Sequence, residues 1–137
     1  MSEDNRIELS KYRYEKAIEC LNSAKVLVDH NDFRGAVNRA YYAIFHSLRS
    51  ILALDMVEFK KHSGNISYFR QNYIKDGVLD VELSRVLSLA SETRNSSDYD
   101  DFFVISKDEV NNLIIDAERF CTDVADYLRE RNPEIFG

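Results

Sequence analysis

The chain has 137 residues, enough for one domain with its own core and short for two. Its composition, 45% hydrophobic and 31% charged, is that of a soluble globular protein, and no segment is apolar and long enough to act as a secretion signal or to span a bilayer. A net charge of −6 argues against indiscriminate nucleic-acid binding, and Cys20 and Cys121 lie far apart without CxxC spacing, so neither zinc nor a redox pair is indicated and a reducing cytoplasmic location is expected.

Four glycines and a single proline, Pro133, favour long helices, and no alternating strand pattern occurs. The first helix is expected over about 10–29, with Tyr14, Ala17, Ile18, Leu21, Ala24 and Val28 at helical spacing. "HND" ends it, and Asn31 or Asp32 caps a second helix over about 32–54 with a broad apolar face that includes Ala40, Tyr41, Ile44 and Leu48. A polar connection, "DMVEFKKHSG", leads to a short helix carrying Ile66, Phe69 and Tyr73, which "KDG" stops. Asp80 caps a helix over about 80–97 through Leu83, Val86, Leu87, Ala90 and Arg94. Ser106 and Glu109 form a capping box for the last helix, over about 107–130, whose stripe runs from Val110 to Leu128. The expected fold class is all-α: an up-and-down bundle of four long helices plus a short one, with 1–137 as a single domain.

Charge is unevenly spread. Between Arg34 and Lys75 lie seven basic residues against two acids, Asp55 and Glu58, so a local anion-binding surface stands in an otherwise acidic chain. On the second helix Asn38, Tyr42, His46 and Arg49 follow one another at helical spacing, opposite the apolar face. Such a stripe can stack a base and hold a phosphate, or simply solvate a helix flank. His62, just before Ser63 and Gly64, sits where a helix N-terminus offers donors to an anion or merely a cap. The acids Asp98, Asp100 and Asp101 lack calcium-loop spacing, and the sequence assigns no metal and no cofactor.

Arg94 is the sharpest feature. It shares a helical face with Ala90, Leu87 and Leu83, so its guanidinium must be paired or face a wet cleft or an interface. Spacing leaves two roles open: an internal ion pair, for example with Asp98 one turn on, or an arginine held ready for phosphate.

"NRAYYAIFHSLRSIL" (38–52), "KKHSG" (60–64) and "RNSSDYD" (94–100), in that order, resemble the small stand-alone branch of the HEPN family (higher eukaryotes and prokaryotes nucleotide-binding domain), over roughly Glu8 to Leu128. The resemblance implies a helical bundle that forms homodimers with the fourth-helix motifs facing each other. It also implies metal-independent endoribonuclease activity, and pairing with a minimal nucleotidyltransferase in toxin–antitoxin or defence modules. The family motif is an arginine, often a polar residue next, then a histidine one to two turns on; Arg94 and Asn95 match its beginning. This chain departs at the histidine: positions 99 to 101 are Tyr99, Asp100 and Asp101. A histidine titrates near neutrality, whereas a phenol with a pKa near 10 is a poor base there. The resemblance therefore implies Arg94 on the phosphorane, Asn95 orienting the site, and Tyr99 or His46 moving the proton. Asn38, Tyr42, Arg49, His62 and Asp98 would contact single-stranded RNA or a nucleotide. The alternative is a non-catalytic module in which Arg94, Asn95, Asp98 and Tyr99 make a dimer or partner contact.

Overall fold

Ser2 caps the first helix of the computed structural model, which describes residues 2–136. Its hydroxyl accepts from the Asn5 amide at 3.2 Å, and Glu3 and Asp4 place negative charge at the positive end of the helix dipole. Helix α1 therefore runs Glu3–Asp29, about two turns longer than expected. The added turns, "EDNRIEL", carry no continuous apolar stripe; they are held by Arg6, whose Nη1 donates to the Leu54 carbonyl at 2.7 Å. That carbonyl ends helix α2, where the last acceptors lack partners of their own.

Helix α2 (Phe33–Leu54) begins at Asp32, whose carboxylate accepts from the Gly35 amide at 2.9 Å. It touches α1, α3, α4 and α5, so it buries most of its circumference rather than one face. Asn38, Tyr42, His46 and Arg49, expected on a face opposite the core, are consequently half-buried between helices. Helix α3 (His62–Phe69) continues into a π-helical turn, Arg70–Ile74, closed by the Lys75 amide donating to the Arg70 carbonyl at 2.8 Å. The turn leaves Phe69 and Tyr73 stacked and buried, 5.9 Å apart, while Arg70 faces α4. Gly77 then reverses the chain at a φ of 74°, a left-handed conformation in which a Cβ is disfavoured. Helix α4 (Glu82–Tyr99) starts where Asp80 accepts from the Glu82 amide, and α5 (Lys107–Arg131) starts at the reciprocal Ser106–Glu109 capping box. The architecture is an all-α bundle of four long helices and a short one, without strands among the described residues.

A polar knot closes one end of the bundle. Asp55, the C-cap of α2, accepts from Tyr73 OH (2.5 Å) and Tyr68 OH (3.0 Å), and pairs with Arg131 Nη1 at 2.8 Å. Burial, followed by the neighbouring Asp55, pushes the Tyr73 phenol well above its usual range, so it remains a donor. The other notable surface is the α4–α5 connection, where Phe102 and Val104 are 94% and 90% exposed beside Asp98, Asp100 and Asp101.

Candidate functional site

Arg94, on the last turns of α4, reaches across to the middle of α2. Its guanidinium carbon lies 4.7 Å from the Tyr41 ring centre and 5.8 Å from that of Tyr42, in cation–π range of both. The side chain is only 17% exposed, yet its polar contacts are long. Nη1 donates to Tyr42 OH at 3.2 Å, Nη2 to Asn95 Oδ1 at 3.4 Å, and Nε stands 3.6 Å from Asp98 Oδ2, too far for a hydrogen bond. A guanidinium mostly removed from water but weakly bonded has donor capacity left for an anion.

Tyr41 carries the arrangement onward. It is 2% exposed, its ring lies beneath Arg94, and its hydroxyl is hydrogen-bonded to His62 Nδ1 at 2.9 Å. The His62 ring stacks on Phe45 with centroids 4.0 Å apart and meets Tyr42 edge-on at 5.7 Å. Three rings therefore fix the imidazole, and Nε2 makes no hydrogen bond within the described residues. Which ring nitrogen carries the proton depends on the tautomer. With Nδ1–H donating to Tyr41, Nε2 has a free lone pair and is a base; with Tyr41 donating to Nδ1, Nε2–H is a donor. Burial and then the charges of Arg94 and Arg49 lower the His62 pKa, which favours neutral imidazole at pH 7. Burial pushes the Tyr41 phenol up to about 12, so it stays protonated.

His46 is placed differently. Its ring packs against Tyr42 and Phe45, its Nδ1 is buried without a partner, and Arg94 is not among the charges that act on it. Burial, then Arg49, Arg39, Lys16 and Arg13, pull its pKa down to about 4. Arg49 is already engaged: its Nη2 donates to Glu58 Oε1 at 2.7 Å, and the same carboxylate accepts from the buried Arg13 at 3.0 Å. Asn38 accepts two bonds from Arg39, whose guanidinium lies 5.2 Å from the Tyr42 ring centre. Tyr99, 77% exposed at the end of α4, makes no ring contact with them. Arg94, Asn95, Asp98, Tyr42 and His62 are thus brought together, His46 adjoins them through Tyr42, and Arg49, Asn38 and Tyr99 are occupied or apart. The sequence places Tyr41 on the apolar face of the second helix and gives Phe45 no role of its own. The clue was Tyr41's hydroxyl, since a buried tyrosine oxygen requires a polar partner.

His46 gives a pH prediction. Its folded pKa of about 4 lies below the ordinary 6.5, so the unfolded chain takes up a proton first as pH falls. The associated stability is complete above pH 6.5 and is lost as pH falls through the folded value. With allowance for partial exposure the loss is about 2 kcal/mol. Urea unfolding at pH 7 and pH 4.5 is expected to show this fall in the wild type and a flatter dependence in His46→Phe; equal slopes in both would refute it.

The HEPN domain family matches residues 10–128. A "UPF0332 protein" of Thermotoga maritima is 32% identical over 82% of this chain and 86% of its own length. Two proteins of Methanocaldococcus jannaschii named "Putative toxin MJ0142" and "Putative toxin MJ0605" are 30% and 33% identical, over 93% and 85% of this chain and 92% and 86% of their own lengths. Each similarity runs through α2, α3 and α4 together, and on that extent the chain belongs to the HEPN domain family.

Proposed function

We propose that this chain is a toxin-like RNA-binding protein whose Arg94 contacts a backbone phosphate, and that it cleaves single-stranded RNA without a metal ion. The observation that carries the reading is the weakly bonded Arg94 guanidinium stacked over Tyr41, which is itself hydrogen-bonded to His62. Arg94 supplies the charge for a phosphate, the partly exposed Tyr42 ring offers a stacking surface, and His62 takes the proton-transfer place that the motif leaves empty. The relatives named as toxins support the biological setting. A homodimer and a nucleotidyltransferase partner belong to the same proposal. A second reading, a non-catalytic partner-binding module, is favoured by the exposed Phe102 and Val104 beside Arg94's helix end.

Binding of a labelled single-stranded RNA in EDTA tests the reading. Wild type is expected to bind with an affinity that falls as salt rises. Arg94→Ala is expected to weaken binding about 10–100-fold, the range for a hydrogen bond to a charged group, and Arg94→Lys less. Absence of RNA binding by wild type, with a defined dimer or partner complex, would leave the module reading in its place.

A further inference from the structure

Helix α3 runs from His62 into a π-helical turn that packs against α4, and that far end carries a second cation. At one end His62 joins the Arg94 cluster through Tyr41. Two turns further along, at the α3–π junction, Arg70 leans onto α4: Nε donates to Ser84 Oγ at 3.1 Å, and Nη2 to the Ser84 carbonyl at 3.3 Å and to Ser88 Oγ at 2.6 Å. These bonds hold one edge of the fork. Nη1 makes no hydrogen bond, and no carboxylate oxygen lies within 4 Å of the guanidinium among the described residues. The fork borders a hollow of about 190 Å³ lined by Ile66, Arg70, Leu87, Ser88, Ser91 and Glu92. Of the other arginines without a carboxylate partner, Arg6 and Arg34 donate to main-chain carbonyls, and Arg39 donates to the Asn38 side chain and to Cys20 Sγ. Arg70 keeps one terminal nitrogen uncommitted beside an open space.

We propose that the Arg70–Ser88–Ser91 hollow is a second phosphate subsite, which holds a phosphodiester of the same RNA strand whose cleaved phosphate sits at Arg94. The inference rests on the proposed RNA-binding reading and deepens it, because it makes the ligand a strand of several nucleotides rather than a mononucleotide. His62 and Arg70 are about 12 Å apart along their helix at 1.5 Å per residue, a span one phosphate does not bridge. Ser91, one turn before Arg94 on α4, lines the hollow. Ile66, partly exposed in the same stretch, gives an apolar surface against a sugar or base face. Glu92 at the rim sets the preferred anion. Its negative charge opposes a phosphomonoester, which carries about −1.5 to −2 at pH 7, more than a singly charged diester.

The test is anisotropy of labelled oligouridylates of increasing length in EDTA, with circular dichroism and sedimentation on each variant. Wild type should tighten as the strand becomes long enough to reach both ends. Arg70→Gln should bind the dinucleotide as wild type does, bind long strands about tenfold more weakly, and lower the salt slope by about one. Glu92→Gln, an exposed change that spares the fold, should tighten long strands severalfold and leave the dinucleotide alone; it decides the matter if Arg70→Gln fails to fold. Long-strand affinity unchanged in Arg70→Gln or in Glu92→Gln, with Arg94→Ala still weakened, overturns the subsite and leaves the Arg94 reading standing. Loss of binding at every length together with a changed sedimentation coefficient in Arg70→Gln assigns the hollow to a chain–chain contact and also overturns it. No binding of any strand by wild type removes both proposals.

Discussion

Asp55→Ala is expected to destabilise the bundle by about 3 kcal/mol, the lower end of the range for removing one partner of a buried ion pair. The carboxylate stands at the C-terminus of α2, where the helix dipole already disfavours negative charge. Arg131, at the end of α5, offsets that charge at 2.8 Å, and two tyrosine hydroxyls use the remaining lone pairs. Alanine leaves Arg131 and both phenols without their acceptor, and Arg131 retains only tyrosine oxygens as partners. In a domain of this size the loss corresponds to roughly 10 °C in Tm. Asp55→Asn, which keeps an acceptor but not the charge, should fall between wild type and alanine. Thermal unfolding that places Asp55→Ala within about 1 kcal/mol of wild type would mean that the knot is ornamental.

His62→Gln is expected to lower RNA cleavage by about 10²–10⁴-fold while sparing binding, as for loss of a general acid–base group. In the proposed step, Nε2 of neutral His62 takes the 2′-hydroxyl proton as the 2′-oxygen bonds to phosphorus. The phosphorus–5′-oxygen bond then breaks, giving a 2′,3′-cyclic phosphate and a 5′-hydroxyl, with the proton returned to the leaving oxygen. Arg94 stabilises the charge that gathers on the phosphorane. Because the His62 pKa is held below the usual value, the rising limb of the pH–rate profile should lie below pH 6.5. Tyr41→Phe removes the hydrogen bond to Nδ1 and should shift that limb. The three candidates separate cleanly: His46→Gln and Tyr99→Phe should each retain cleavage. Abolition by either one, with His62→Gln active, would reassign the proton transfer. RNA binding without cleavage in wild type would leave Arg94 its phosphate contact and remove the catalytic step.

Much of the bundle was legible because caps and apolar stripes coincide. The Ser106–Glu109 box and the stripe from Val110 to Leu128 fix α5 almost to the residue. The early start of α1 was hidden because Ser2 and Arg6 hold it through polar bonds, with Ile7 as its partly buried apolar contact on the core. The half-burial of the Asn38–Arg49 stripe was hidden for another reason. How many neighbours surround α2 is a tertiary fact, and a wheel drawn for a single helix assumes one buried side. Arg94 announced itself by standing on an apolar face, and Asp98 was found one turn on at ion-pair distance. The sequence offers His62 as an anion contact or, more readily, a helix cap, but Lys61 occupies the cap position and makes no side-chain bond there. The imidazole instead turns inward to Tyr41 and Phe45, a choice set by residues some twenty positions earlier.

The exposed Phe102 and Val104 have a colloidal consequence. At neutral pH the surrounding aspartates and the net charge of −6 act as gatekeepers, keeping such side chains on neighbouring molecules apart. Near the isoelectric point, about 5.1, that mutual repulsion vanishes while the two apolar side chains stay uncovered on a free chain. Mild acidity is therefore expected to favour association of folded molecules through the α4–α5 connection, and a change of either side chain to serine is expected to raise solubility there without altering the bundle.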